Sequence, residues 1–107
     1  MVSRAEGGSG MPTYIVLMSL TEKGIADIKE APKRIEAAEK SLEAAGGKML
    51  AFYTTMGHYD YVAITEGPSD EAAMVQLLGL GTAGFVRTTT LKAFTRDEFS
   101  KILEMLP

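Results

Sequence analysis

Polar and apolar positions along this chain alternate with two different periods, and the switches between them mark out its elements. Thr13–Ser19 places Tyr14, Val16 and Met18 against Ile15 and Leu17. Both sets are apolar, the pattern of a strand buried on both faces in the middle of a sheet. Thr21 is placed to cap a helix that Pro32 interrupts, because a proline ring removes an interior hydrogen bond. The pattern therefore predicts a short helix to about Lys29 and a second one carrying Pro32 in its first turn. That second helix sets Ile35, Ala38, Leu42 and Ala45 on one side, with Lys33, Glu36, Lys40 and Glu43 outside, and stops at Gly46-Gly47.

A period of two returns at Lys48–Met56 and again at Tyr59–Glu66. The turn between them, Met56-Gly57-His58-Tyr59-Asp60-Tyr61, most simply closes a hairpin. Gly67-Pro68 ends the second strand, Ser69 caps a helix running to about Leu80, and Asp70 and Glu71 sit at its positive end. Phe85–Phe94, rich in Thr and β-branched residues, is a fourth strand. Thr95-Arg96-Asp97-Glu98 then has the capping-box spacing before Phe99, Ile102, Leu103 and Leu106, which predicts a short terminal helix.

The order β-α-β-β-α-β with a terminal helix is the ferredoxin-like signature of an α+β fold, a four-stranded antiparallel sheet with both helices on one face. Right-handed crossovers put strands two and four at the edges and strands one and three in the centre, where we expect those two to run parallel. One apolar face then has no helix of its own, which is a liability unless a second subunit covers it. A homo-oligomer through that face is the expectation, and two sheets stacked this way would form a dimeric α+β barrel. The alternative is that the terminal helix folds over the face.

Composition narrows the function classes. With 107 residues, 46% apolar and 23% charged, the chain is of ordinary globular make-up. Residues 1–10, Gly/Ser-rich and without hydrophobic period, read as a disordered leader or an expression scar, leaving 11–107 as one domain. A net charge of −3 with scattered basic residues offers no footprint for nucleic acid. No apolar run reaches membrane-spanning length and no secretory leader is evident, so no membrane association is expected and the default location is cytoplasmic. Zero cysteines exclude disulfides and thiolate chemistry. One histidine and no cysteine make no metal constellation, and the glycines near residue 80 lack a phosphate-cradling pattern, so no cofactor is expected.

The side chains able to do chemistry gather at the hairpin turn. His58, the chain's only imidazole, is the default acid/base or haem-ligand candidate, although a turn residue is usually solvated. Asp60 enters a strand of Tyr, Val and Ile and needs a partner, for which Arg87 offers a bidentate fork. Such a pair either fixes the hairpin or lines a cavity for an anionic or hydroxylated ligand. Tyr53, Tyr59 and Tyr61 each join an apolar body to a hydroxyl that seeks a partner when buried. Catalytic candidates are thus His58, Tyr59 and Asp60, and ligand-binding candidates Tyr53, Tyr59, Asp60 and Arg87.

The chain resembles the GYD-domain family of small bacterial and archaeal proteins. The resemblance rests on Gly57-His58-Tyr59-Asp60, on Ile64 through Ala73, on Val86 through Phe94, and on Pro32-Lys33-Arg34, Gly46-Gly47 and Phe52-Tyr53. It implies a ferredoxin-like fold related to dimeric α+β barrel proteins, and oligomer formation, but no particular reaction. His58 falls on the variable position of the motif. One departure is Phe85, where the family commonly has a small or polar residue after the glycine. Together these features favour a non-enzymatic, homo-oligomeric module that binds a small ligand or regulates. A cofactor-independent oxygenase or isomerase using His58, Tyr59, Asp60 or Arg87 is the second reading, and an assembly unit without ligand the third.

Overall fold

Strand β1 (Thr13–Leu20) runs through the middle of the sheet with Tyr14, Val16 and Met18 buried on one side and Ile15 and Leu17 half-buried on the other. The computed structural model describes residues 10–107, so all of the leader except Gly10 lies outside the described residues. Helix α1 (Glu22–Ala26) is capped by the Thr21 side chain, and a single 3₁₀ turn (Ile28–Glu30) leads into α2 (Ala31–Ala44), with Pro32 in its first turn. The proline thus splits the helical run as its missing N–H requires.

Strands β2 (Lys48–Thr54) and β3 (Tyr61–Glu66) form the hairpin, with a register irregularity between Met49 and Ala51. Helix α3 (Asp70–Ala83) begins at Ser69, whose hydroxyl accepts from the Ala72 N–H, and β4 (Val86–Ala93) follows. Helix α4 (Arg96–Leu103) opens with the complete capping box: Glu98 donates its N–H to Thr95 Oγ1 at 3.1 Å, and Thr95 donates its N–H to Glu98 Oε1 at 2.8 Å.

The sheet order is β2-β3-β1-β4, with β2 and β4 at the edges, as the crossover rules require. The two central strands correct one expectation: β1 and β3 pair antiparallel, not parallel. The physical reason is the hairpin. The crossover through α2 makes β2 parallel to β1, and the tight turn then reverses β3 before it enters the gap between them. All three ladders are antiparallel.

Helices α2 and α3 lie over the face that carries Tyr14, Val16, Met18, Tyr61, Ala63 and Val86, with Ile35, Leu77 and Leu80 packed against it. The opposite face is laid out by the register. Ile15 faces Ile64 on one side and Leu91 on the other, while Leu17 faces Val62, and Val62 faces Tyr53. Leu91 is 48% and Tyr53 61% exposed. Helix α4 does not fold over this face in the manner of a lid, since Phe99 and Leu103 on its own apolar side stay exposed, as does Leu106 beyond its end.

Candidate functional site

The hairpin corner spends its polar groups on holding the backbone. Gly57 sits at φ 107°, a left-handed conformation that a side chain would strain. Behind it Thr55 donates its hydroxyl to the Tyr59 carbonyl at 2.6 Å and its N–H to the Asp60 carbonyl at 2.8 Å. Asp60 donates its own N–H to the Met18 carbonyl, and its Oδ2 accepts the Leu20 N–H at 2.8 Å. The carboxylate stands in for the carbonyl that a longer β3 would have supplied, and it extends the β1–β3 ladder past the end of the strand. That satisfies the demand for a partner which an aspartate in this position creates.

Arg87 is not that partner within the subunit. It lies exposed on β4, opposite Ser19, and no ion pair joins it to Asp60 among the described residues. The Asp60 carboxylate is held by the backbone of β1 instead. His58 is exposed and rests edge-on against Tyr59, ring centroids 4.9 Å apart. Tyr53 stands on the helix-free face. The structure therefore brings His58, Tyr59 and Asp60 together at the turn, and leaves Tyr53 and Arg87 apart from them on their own strands.

Two further polar arrangements depend on contacts between elements that are far apart in the sequence. In the first, Tyr14 donates its hydroxyl to Asp70 Oδ1 at 2.5 Å, and Lys92 Nζ contacts Asp70 Oδ2 at 3.0 Å. Burial first, and the facing carboxylate second, push the Tyr14 phenol up to about 12. The Tyr14 hydrogen bond, then Lys92, hold Asp70 below its ordinary value. Asp70 is legible in the sequence only as a helix-start acid. Its link to β1 and β4 depends on register.

The second surrounds Phe85. Its ring lies between two cations, Arg34 at 4.1 Å and Lys23 at 4.5 Å from the centroid. Arg34 is also held by Asp27 Oδ2 at 2.9 Å, and Lys23 donates to the Ala83 carbonyl at 3.1 Å. The Phe85 carbonyl accepts the Thr21 N–H at 3.0 Å. Gly24 is needed beneath it, because a Cβ there would lie 2.2 Å from that same carbonyl oxygen. The unusual residue after Gly84 is thus built into the junction of α1, α2 and β4.

Between the sheet and helices α2 and α3 lies a cavity of about 620 Å³. Val16, Met18, Phe52, Leu77 and Leu80 form much of its wall, and Arg34 and Phe85 stand at one end. Thr90 also lines it. None of the four turn or strand candidates His58, Tyr59, Asp60 and Arg87 reaches this space. Among the described residues there is no cluster of three or more metal-ligating side chains and no helix long and apolar enough to cross a membrane.

This geometry defines an α+β protein of ferredoxin-like topology with an apolar chamber under its helices and a bare sheet face. The family model of the GYD domain matches residues 14–103, and the chain belongs to the GYD-domain family. A glutamine synthetase and cystathionine beta-lyase binding protein of Thermus thermophilus is 36% identical over 84 residues, 78% of this chain and 88% of that protein. Among solved structures, the leucine response regulatory protein LrpA of Mycobacterium tuberculosis superposes with a TM-score of 0.59 at 20% identity. The match covers 78% of this chain and 51% of LrpA, so the chain spans about half that protein's length and the likeness speaks to fold alone.

Proposed function

We propose that the chain is a non-enzymatic, homo-oligomeric binding or regulatory module of the cytoplasm, which assembles through its bare sheet face and takes a small ligand. The observation that carries this reading is the patch of Ile15, Leu17, Val62 and Ile64, flanked by exposed Tyr53 and Leu91, with no helix above it among the described residues. A contiguous apolar area of this kind on a small domain favours a second copy as its cover. The Thermus relative, by its name a binding protein for two enzymes, supports a partner of the same kind for this chain.

The enzymatic alternative, an oxygenase or isomerase, requires His58, Tyr59, Asp60 or Arg87 to face a closed space. Asp60 instead holds the Leu20 N–H, and His58 points into open surroundings. A pure assembly unit is separated from the favoured reading by whether a ligand travels with the protein. Native mass spectrometry of protein taken from cells tests both parts: the reading expects a dimer or larger carrying extra mass. An 11.5 kDa monomer without adduct overturns it.

A further inference from the structure

We propose that the cavity between the sheet and helices α2 and α3 binds an apolar molecule carrying one carboxylate, with its tail in the cavity and its carboxylate on the Arg34 guanidinium. This deepens the ligand-binding half of the function proposed above, on which it rests, and is independent of the assembly half. The first support is space and access. About 620 Å³ is the volume of a small-molecule site, and its lining is overwhelmingly apolar. Ala37, Val75, Gly79 and Ala83 line it and are themselves exposed, so the cavity opens to solvent along its helices.

The second support is Arg34, the one basic residue among the described residues that lines the cavity. Its guanidinium is fixed in place, 4.1 Å from the Phe85 ring centroid and 2.9 Å from Asp27 Oδ2. Arg34 donates one N–H to that oxygen and one to the Asp27 carbonyl, and a guanidinium has five. The remaining N–H groups have no acceptor among the described residues, and arginine holds carboxylates best through two parallel bonds of this kind. A side chain already held rigid loses little freedom when a ligand arrives.

The third support is charge complementarity. Lys23 Nζ lies 4.5 Å from the same ring centroid and 3.1 Å from the carbonyl of Ala83, itself a lining residue. Two cations therefore share this end of the cavity with one acid, Asp27, and a monocarboxylate offsets the excess. Glu66 does not oppose it. It borders the far end, opposite Thr13, whereas Val86, next to Phe85, lies opposite Leu20 at the other end of β1. Thr65, opposite Tyr14, is on the cavity side, so strand alternation turns the Glu66 side chain to the bare face.

The test titrates full-length protein carrying ¹³C-methyl methionine with octanoate and, separately, with 1-octanol, which has a tail of the same length. Met18 and Met49 line the cavity, whereas Met56 and Met105 are 97% and 80% exposed and serve as controls. The proposal expects both compounds to move the Met18 and Met49 methyl signals and to leave the controls in place. It expects octanoate to bind roughly tenfold tighter than 1-octanol, the gain of a charge-assisted hydrogen bond. Arg34→Gln is expected to remove that advantage and to leave 1-octanol binding as it was. Unmoved Met18 and Met49 signals, 1-octanol binding as tightly as octanoate, or octanoate affinity unchanged in Arg34→Gln would each overturn it. Should Arg34→Gln fail to fold, the ratio of the two affinities in the natural sequence decides the matter by itself. Mass measured on protein taken from cells separates this proposal from the reading it rests on. An oligomer that carries extra mass yet ignores octanoate removes only this proposal, and a monomer that binds octanoate removes only the assembly.

Discussion

The two faces of the sheet are made from the same kinds of residue and come to different ends. On one, Tyr14, Val16, Met18 and Ala63 lie beneath α2 and α3 and are at least nine-tenths buried. On the other, Ile15, Leu17, Val62 and Ile64 are equally apolar yet only half-buried, with Leu91 and Tyr53 open at the flanks. Hydrophobicity by itself does not decide which side is core. The crossovers put both helices on one side, and the bare side is then available to another molecule. Even the covered side is incompletely filled, with a cavity left between the sheet and its helices.

Substitutions sharpen this comparison in order of expected size. Met18→Ala, on the covered face, is expected to lower stability by about 3 kcal/mol in chemical denaturation, the usual loss for truncating a core methionine. Asp60→Ala removes the acceptor of the Leu20 N–H and is expected to cost about 2 kcal/mol by the same measurement. If Asp60→Ala left stability unchanged, the carboxylate would not be extending the ladder.

The Tyr14–Asp70 pair on the covered side gives a pH signature. A phenol held up to about 12 is one whose protonated form the fold prefers. Its contribution is therefore intact below about pH 10 and is lost as pH climbs toward 12. Asp70 has the opposite sign: its depressed pKa makes a contribution that is present above about pH 4 and lost as pH falls further. Tyr14→Phe is expected to flatten the alkaline arm of a stability-against-pH curve; an arm as steep as that of the parent protein would place its cause elsewhere. Smallest of all, Arg87→Ala on the bare face should change the stability of the folded chain by less than about 0.5 kcal/mol, as for an exposed side chain with no ion pair among the described residues. A loss comparable to that of Met18→Ala would break the comparison.

Much of the fold was legible because its signals are local. Pro32, Ser69 and the Thr95–Glu98 box each mark a helix start by chemistry within a few residues, and period two marks the strands. The pattern suggests that β1 and β3 run parallel, whereas they pair antiparallel, because strand direction is a property of the whole path, set by one turn and one crossover together. The site was harder for a similar reason. An aspartate at position 60 demands a partner, but the backbone of Leu20 is invisible to a search among side chains for opposite charge. Thr90 looks like any strand threonine until register sets it opposite Val16 under the helices, and Phe85 becomes intelligible only when Lys23 and Arg34 arrive from two other elements.

The bare face is proposed as the place where copies of the chain meet. Sedimentation velocity at micromolar concentration, on the natural sequence and on Leu17→Asp, tests it most directly. A mass of at least two chains of 11.5 kDa that collapses to one in Leu17→Asp, with circular dichroism unchanged, is the predicted result. A natural sequence that sediments as a single chain, or an assembly indifferent to the aspartate, would contradict it.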